Sequence, residues 1–410
     1  MKLFYPIRIT RSQKGATETA AYLHELYFKH RNKYLKRVYG RSMFLPYRTW
    51  RWCWGELAVK PFKLIKKNGR AVYEITGIPA WKQYFDMLKF SLILPTRPQN
   101  YYIYDLFDPQ NRAAARDFIF RHETKNVLYK MLDVPRLGEI SPLTDKGKFA
   151  RKALAAGLPI APTICSIEDG KVEYFNELPP EDLFVKRLKG KGGAGAELWF
   201  YLSREGVYRK KGRKLKLDAD RLIRHYREKS GEEPVLIQAR VTNHPELIDI
   251  SCSALSTCRV MTILNEKDEP EVVAAVYRMA ARQGSIVDNF HRGGIAAPVN
   301  IDSGTLGLAT NLGLKADLGR VACHPLTGAQ IEGRKLPFWA ETMQLAVRAH
   351  EAFRPRVVVG WDICITESGP ILIEGNAQPC VDFIQRTYNQ PLGRMRFGEI
   401  MAFHLRRRFG

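Results

Sequence analysis

Residues 183–201 read LFVKRLKGKGGAGAELWFY, and the six residues GKGGAG at positions 190–195 match the glycine spacing G-x-G-x-x-G. In a dinucleotide-binding site this spacing follows a strand and opens a helix, because the helix N-terminus holds the pyrophosphate. Here the run LFV at 183–185 is typical of a strand, and the run LWFY at 198–201 is also strand-like. The stretch therefore predicts a glycine hairpin between two strands, which argues against an NAD site.

The glycine hairpin has two interpretations. Its backbone amides could lie over a phosphate chain, since glycines leave those amides uncovered. Equally, it could be an ordinary glycine-rich turn. A Walker A loop is excluded because no Gly-Lys-Ser or Gly-Lys-Thr follows.

The composition indicates a folded protein with a substantial core. A chain of 410 residues predicts two or three domains, or one multi-lobed enzyme. Hydrophobic residues make up 45% and aromatic residues 11%, which excludes a disordered chain. No apolar run reaches the roughly 18 residues of a membrane span, and the first residues lack the long apolar segment of a secretory signal. Seven scattered cysteines without C-x-x-C favour reduced thiols, so a cytoplasmic location is expected.

The charge of the chain is strongly positive, since 65 Lys and Arg against 42 Asp and Glu give +23. Residues 1–60 hold 13 of these cations and only three acids, interleaved with aromatic residues as in KHRNKYLKRVYGR at 29–41. Such a surface attracts nucleic acid, an anionic bilayer or an acidic polymer. A solvated basic helix, or counter-charge for a bound nucleotide, is the alternative. No zinc-finger or RNA-recognition pattern is present, so sequence-specific base reading is not expected.

The predicted secondary structure of the chain changes near residue 135. Residues 1–135 predict helices and irregular connections, including a helix from about Asn111 to Leu132. Residues 136–410 alternate between helices and strands. Within them, TCRVMTIL pairs with EVVAAVYRMA, and VVVGWDICIT pairs with PILIEGNAQP as a hairpin.

Two lysines and three oxygen-bearing residues suit nucleotide chemistry. Lys146 begins a predicted helix and Lys186 ends the strand before the glycines, where either could meet phosphate oxygens, although each alone could be a surface residue. Glu374 and Asn376 are two apart on a predicted strand and so face one side, and hairpin pairing can bring Asp362 beside them. Three hard oxygen ligands among apolar neighbours predict a Mg²⁺ site shared with phosphates. An exposed hairpin with polar tips is the alternative.

A second polar stretch, YRMAARQGSIVDNFHRGG, spans residues 277–294. Its Arg278, Asn289 and Arg292 could gather around a carboxylate or a transferring phosphoryl group, because guanidinium groups bind such oxygens in pairs. His291 is expected to be an ordinary loop histidine.

Six segments, taken in order, resemble the ATP-grasp superfamily over roughly residues 140–388. They are most similar to its sugar-transfer-associated subgroup, which is often encoded near polysaccharide biosynthesis. The segments are DKGKF…GLPIAPT, LFVKRLKGKGGAG, LIQARVTNHPEL, STCRVMT, DNFHRGGIAAPVNIDSGTLG and GWDICIT…GPILIEGNAQP. Residues before about 135 match only loosely.

The resemblance implies an α+β fold in which two α+β lobes clasp ATP, preceded by a mostly helical, basic N-terminal region at 1–135. The small lobe, with the glycine hairpin as a mobile lid, would span residues 136–240. The large lobe, with the metal site and a basic C-terminal helix, would span residues 241–410.

The resemblance also implies roles for individual residues. The ATP-binding residues would be Lys146, Lys186, Gly190, Gly192, Gly193, Gly195, Gln238, Ala239, Val241 and Glu246. The magnesium ligands would be Asp362, Glu374 and Asn376, and the residues at the γ-phosphate and acyl group would be Arg278, Asn289, Arg292 and Arg259. The adenine hinge carries Gln238 where many relatives have glutamate, and an amide still offers the adenine amino group an acceptor.

These features predict an ATP-dependent carboxylate–amine ligase that forms an amide through an acyl phosphate, with ATP and Mg²⁺ as cofactors. An acidic small molecule, a glycan or a peptide-like precursor is the expected substrate. Two alternatives stay open. One is a phosphotransferase that uses the same ATP site on a saccharide hydroxyl, and the other is a nucleotide-responsive binding protein at an anionic surface.

Overall fold

The computed structural model describes residues 15–39, 52–94, 96–133, 141–188, 195–252, 254–282, 284, 288, 290, 293–313 and 319–410. Five residues predicted for the site lie outside these ranges, namely Gly190, Gly192, Gly193, Asn289 and Arg292. Within the ranges, two seven-stranded sheets and a set of helices form an α+β fold. No helix in the described ranges is long and apolar enough to cross a bilayer.

The first sheet is built from residues 163–239, and its strands pair in the order β2-β1-β7-β3-β4-β5-β6. The strands are β1 (Thr163–Glu168), β2 (Lys171–Tyr174), β3 (Leu183–Arg187), β4 (Glu197–Leu202), β5 (Val207–Lys210), β6 (Lys216–Leu217) and β7 (Val235–Ala239). Strand β7 is buried along its whole length, and its sequence VLIQA is apolar except for Gln238. Strands β3 and β4 pair antiparallel on either side of the glycines, so the predicted hairpin is confirmed.

The second sheet is built from residues 257–376 in the order β12-β11-β10-β9-β8-β13-β14. The strands are β8 (Thr257–Leu264), β9 (Pro270–Met279), β10 (Ile295–Pro298), β11 (Ala309–Thr310), β12 (Arg320–Val321), β13 (Val358–Thr366) and β14 (Gly369–Asn376). The two predicted hairpins, β8–β9 and β13–β14, are both present. Every residue of β8 is buried, which places that strand in the middle of the core.

The longer helices flank the sheets and fill the N-terminal region. They are α1 (Glu18–Tyr39), α2 (Lys60–Thr76), α3 (Ala80–Ile93), α4 (Lys146–Ala155), α5 (Ala219–Lys229), α6 (Trp339–Ala352), α7 (Val381–Tyr388) and α8 (Arg396–Phe409). Shorter helices occupy Asn100–Ile103, Pro109–Ala113, Arg121–Glu123 and Tyr129–Leu132, and π-helical turns occupy Trp52–Val59 and Thr124–Leu128.

Helix α4 begins at Lys146 because the Asp145 carboxylate caps it, accepting the backbone N–H groups of Gly147 and Lys148 at 3.0 Å each. The apolar side chains of α4, Phe149 and Ala153, pack into the core of the second sheet. The helix that carries Lys146 therefore adjoins the second sheet, although the sequence grouped it with the first lobe. The lobe boundaries themselves stay predictions.

The N-terminal helical region is fastened to α7, the helix that follows β14. The Tyr104 hydroxyl donates to the Asp382 carboxylate at 2.7 Å. The buried guanidinium of Arg386 donates to the carbonyl of Ile103 at 2.9 Å and to the carboxylate of Asp105 at 2.7 Å. Residues 103–105 are thus held against the helix that follows the strand of the predicted metal ligands.

The prediction of one helix from Asn111 to Leu132 is wrong, because residues 114–120 form a turn and an extended segment. Phe118, Ile119 and Phe120 of this segment are fully buried. The Gln385 amide accepts from the Ile119 N–H at 3.1 Å and donates to the Ile119 carbonyl at 2.8 Å. A side chain from α7 thus satisfies the backbone groups that a helix would have paired, and burial of three large side chains outweighs local helix propensity.

Candidate active site

The hairpin β13–β14 sets three polar side chains beside one another. Asp362 lies directly opposite Glu374 in the register, and the Asn376 amide nitrogen is 3.4 Å from a Glu374 carboxylate oxygen. The pairing shifts between Asp362 and Ile363, so that β14 accommodates an extra residue next to Glu374. Such bulges re-aim side chains at functional sites.

Two arginines from neighbouring strands hold Asp362. Arg259 stands opposite Asp362 on β8 and binds its carboxylate in a bidentate manner, with Nη2 to Oδ2 at 2.8 Å and Nε to Oδ1. Arg278, on β9, donates to the same Oδ2 at 3.1 Å. All three side chains are buried or nearly so. A lone buried anion would be costly, and here its charge is balanced within the protein.

The two carboxylates differ in how readily they ionise. Burial acts to raise the pKa of Asp362, but the guanidinium groups of Arg259 and Arg278 outweigh it and lower that pKa to about 2. Burial raises the pKa of Glu374, and the adjacent Asp362 carboxylate raises it further, against the opposing charge of Lys186. Glu374 is therefore the carboxylate on which an added cation would act most strongly.

The two lysines meet at the junction of α4 and β3. The Lys146 ammonium donates to the carbonyl of Leu188, two residues beyond Lys186, at 3.4 Å. Burial lowers the pKa of Lys186 to about 8, while the Glu374 charge opposes this shift and the Lys146 charge adds to it. Burial also lowers the pKa of Lys146, and Glu374 again opposes the shift. Glu374 therefore lies close enough to both lysines for its charge to act on them.

A family model described as sugar-transfer associated ATP-grasp matches residues 133–396, well over half of the chain. This chain belongs to the sugar-transfer associated ATP-grasp family. The matched range contains both sheets, both lysines and the carboxylate hairpin, and it begins after α1–α3. No curated protein matches the chain.

Several solved structures are similar to this ATP-grasp chain. An L-amino acid ligase from Bacillus licheniformis is 12% identical, with 64% of this chain and 48% of that chain covered and a TM-score of 0.36. A D-alanyl-alanine synthetase A from Vibrio cholerae O1 biovar eltor is 13% identical, with 65% of each chain covered and a TM-score of 0.36. A D-alanine–D-alanine ligase from Bacillus anthracis, complexed with ATP, is 13% identical, with 65% and 67% covered and a TM-score of 0.38. The chain spans about half the length of the L-amino acid ligase.

The predicted adenine hinge of the ATP-grasp fold follows β7. Gln238 is buried, and its amide nitrogen donates to the Thr163 hydroxyl at 3.0 Å and to the Ala161 carbonyl at 3.2 Å. These bonds turn the amide nitrogen towards β1. Ala239 ends β7, whereas Val241 and Glu246 lie beyond it, and Glu246 is exposed in the 3-10 turn Pro245–Leu247.

The glycine hairpin contributes one described residue, Gly195, whose φ of 74° lies in the left-handed region that favours glycine. The backbone therefore turns sharply just before β4. The roles assigned to Gly190, Gly192 and Gly193 concern residues outside the described ranges and stay predictions.

Sequence reasoning missed one buried carboxylate. Asp288 accepts the Thr257 hydroxyl at 2.6 Å and lies 3.3 Å from the Arg278 guanidinium, whose Nε also donates to Thr257 at 3.1 Å. Asp288 stands one residue before the predicted Asn289, but nothing in the sequence showed that it faces inward. Asp288, Asp362 and Thr257 together orient Arg278.

A divalent cation fits the donor set on chemical grounds. No group of three or more His, Cys, Asp or Glu side chains suited to a metal occurs in the described part of the chain. A cation at the hairpin would therefore depend on two carboxylates and the Asn376 amide oxygen, which are the hard oxygen donors that Mg²⁺ prefers. Burial and the Asp362 carboxylate raise the pKa of Glu374, and a divalent cation bound there would favour its ionised form.

Proposed function

We propose that this ATP-grasp chain is an ATP-dependent carboxylate–amine ligase. The observation that supports this most is the close grouping of Lys146, Lys186, Glu374 and Asp362, with Arg259 and Arg278 next to the carboxylates. Cations on one side and a carboxylate pair on the other suit a triphosphate that also carries a divalent ion.

Each part of the site would have one task. Lys146 and Lys186 would bind phosphate oxygens as point charges, while Glu374, Asn376 and Asp362 would hold Mg²⁺, which neutralises charge on the phosphates. Gln238, through its amide oxygen, and the backbone of Ala239 and Val241 would bind adenine, and Glu246 would accept from the ribose hydroxyls. The glycines at 190–195 would cover the phosphates.

The proposed reaction has two steps. A substrate carboxylate oxygen attacks the γ-phosphorus of ATP, the bond to the β-phosphate oxygen breaks, and an acyl phosphate and ADP form. An amine nitrogen then attacks the acyl carbon, so that the amide forms and phosphate and a proton leave. Arg278 and Arg259, with Asn289 and Arg292, would orient the acyl group and the transferring phosphoryl group. Shielding from water would protect the acyl phosphate.

For the substrate we propose an acidic saccharide, a uronate-bearing glycan or a peptide-like precursor. The net charge of +23 favours anionic ligands, and the family description associates the fold with sugar transfer. This part of the proposal rests on analogy with the family and on overall charge.

The test is a screen for ADP release. Purified protein with ATP and Mg²⁺ is incubated with pools of carboxylates and amines, and products are read by mass spectrometry. We expect ADP release that needs both a carboxylate and an amine, with a product mass equal to their sum less one water. A stable phosphorylated acceptor without free phosphate would show a phosphotransferase instead. ATP binding without turnover over the whole panel would show a nucleotide-responsive binding protein.

A further inference from the structure

Helices α2 and α3 form a hairpin whose inner side is fixed. The buried Gln83 amide donates to the carbonyls of Gly69 at 3.0 Å and Ile78 at 2.8 Å, and it accepts the Tyr102 hydroxyl at 2.8 Å. A Cβ at Gly69 would lie 3.7 Å from the Gln83 side chain on α3, so Gly69 faces the inner side of the hairpin. With one side of each helix fixed in this way, the side chains on the opposite side are necessarily directed outward.

The outward side is unusually apolar. Of the fourteen large hydrophobic side chains that are exposed in the described residues, seven lie in α2–α3 and the turn between them. These are Phe62, Tyr73, Ile75, Trp81, Phe85, Leu92 and Ile93. Trp81 and Phe85 are 65% and 61% exposed, and their rings meet edge to face at 6.5 Å. Because Trp81, Phe85 and Leu92 are spaced by four and seven residues, they form one stripe along α3.

The same hairpin is strongly basic. Residues 60–93 contain seven Lys and Arg and two acids. One of the acids, Asp86, is paired with Arg112 outside the hairpin, and the other, Glu74, is paired with Arg70 at 2.8 Å. On α2, Lys63, Lys66 and Lys67 are exposed, and Lys66 lies one helical turn from Phe62 on the same side.

We propose that the outward side of α2–α3 docks on an anionic lipid bilayer surface. Aromatic and aliphatic side chains flanked by lysines are the combination that inserts at the headgroup boundary and is held there by anionic lipids. Aliphatic side chains such as Leu92 and Ile93 add nothing to stacking on nucleic-acid bases, which argues against RNA. The net positive charge of the hairpin opposes pairing with a second copy of itself. The proposal does not depend on the ligase chemistry.

The experiment is flotation of the full-length protein with vesicles at about 0.1 M salt. One set contains phosphatidylcholine alone, and the other contains phosphatidylcholine with phosphatidylserine. We expect flotation with the anionic vesicles only, weakened by added salt. Trp81→Gln with Phe85→Gln should lower the partition coefficient by about tenfold or more. Lys66→Gln with Lys67→Gln should lower it by about fivefold for each cation removed.

Matched controls distinguish binding through this surface from the effect of removing any exposed lysine or hydrophobic side chain. Leu92→Gln should weaken binding, whereas Leu154→Gln, on α4 with a comparable exposed fraction of 46% against 41%, should not. Lys229→Gln on α5 serves the same purpose for the lysines. Unchanged thermal unfolding would show that each variant is folded.

Three results would overturn the proposal. They are equal flotation with both vesicle types, unchanged flotation of the Trp81 and Phe85 double variant, and competition by single-stranded RNA that Leu92→Gln leaves unaffected. A concentration-dependent dimer that the same variants abolish, without vesicle binding, would assign the surface to a second copy instead.

Discussion

The two sheets differ in whether the protein favours or disfavours the charge of a buried residue. On the second sheet, Asp362 is bound by two guanidinium groups, and its pKa is lowered to about 2. On strand β3 of the first sheet, burial lowers the pKa of Lys186 to about 8, so that the protein itself disfavours the ammonium charge. The comparison indicates that the charge of Asp362 is balanced within the protein, whereas the ammonium charge of Lys186 becomes favourable when an anion binds.

The largest expected effect concerns the charges that we assign to ATP and the metal. Lys186→Ala and Glu374→Ala should each lower the rate of ADP formation by about a thousandfold, because each removes charge stabilisation in the reacting complex. Exposed residues of the first lobe give matched controls, Lys171→Ala and Glu177→Ala. Urea unfolding checks that the variants are folded. Normal turnover in both site variants would show that the assignment is wrong.

Removing the Asp362 carboxylate should lower the stability of the protein as well as its activity. Asp362→Ala leaves Arg259 and Arg278 buried without their shared anion, and we expect it to lower the free energy of unfolding by about 3–5 kcal/mol. Lys186→Met removes a charge that burial disfavours and should leave stability unchanged or raise it. Urea unfolding of the two variants measures both effects. Equal destabilisation by Asp362→Ala and Lys186→Met would show that the two buried charges do not differ in their effect on stability.

The sequence predicted the pieces of the site that local pattern controls. The period of β14 placed Glu374 and Asn376 on one side of the strand, and the hairpin pattern allowed Asp362 to lie beside them, as the structure shows. The strand–glycine–strand pattern predicted the β3–β4 hairpin. The start of a helix at Lys146 was also predicted, and the structure confirms it.

Contacts between residues far apart in the sequence could not be predicted from local patterns. The sequence named Arg259 and Arg278 as ligands of phosphate or acyl groups, and it could not show that both bind Asp362 from adjacent strands. It also gave no sign that Gln385 would satisfy Ile119 and so interrupt the predicted helix. Strand order and side-chain pairing across hundreds of residues decide such contacts, and neither leaves a local pattern.

A smaller effect is expected from Asp288, which pairs with the same Arg278 nitrogen, Nη2, as Asp362 does. Asp288→Asn keeps a partner for the Thr257 hydroxyl but removes the charge beside Arg278. We expect kcat/KM for ADP formation to fall by about tenfold, mainly through kcat, since orientation rather than binding is disturbed. Steady-state kinetics with the substrates found in the screen measure this. A change confined to the KM for ATP would place Arg278 in nucleotide binding instead.

The last prediction uses pH to test whether Lys186 binds the ATP phosphates. Bound phosphates favour the ammonium form, so ATP binding takes up a proton once the pH exceeds the free-protein pKa of Lys186, about 8. The affinity for ATP should therefore fall as the pH rises from 7 to 9, by at most about tenfold for each pH unit above 8. Lys186→Arg stays charged and should bind ATP with little change over this range. Calorimetric titration with ATP at fixed salt measures the ATP affinity of both proteins.

The stability of the unligated protein should change with pH in the opposite sense, rising as the pH rises. Between about pH 8 and 10.4 the unfolded lysine still holds its proton while the folded one does not, so this group makes folding more favourable as the pH rises through that window. An ATP affinity that is flat for both proteins would mean that Lys186 does not meet the phosphates, and the difference between the two sheets would then be structural rather than functional.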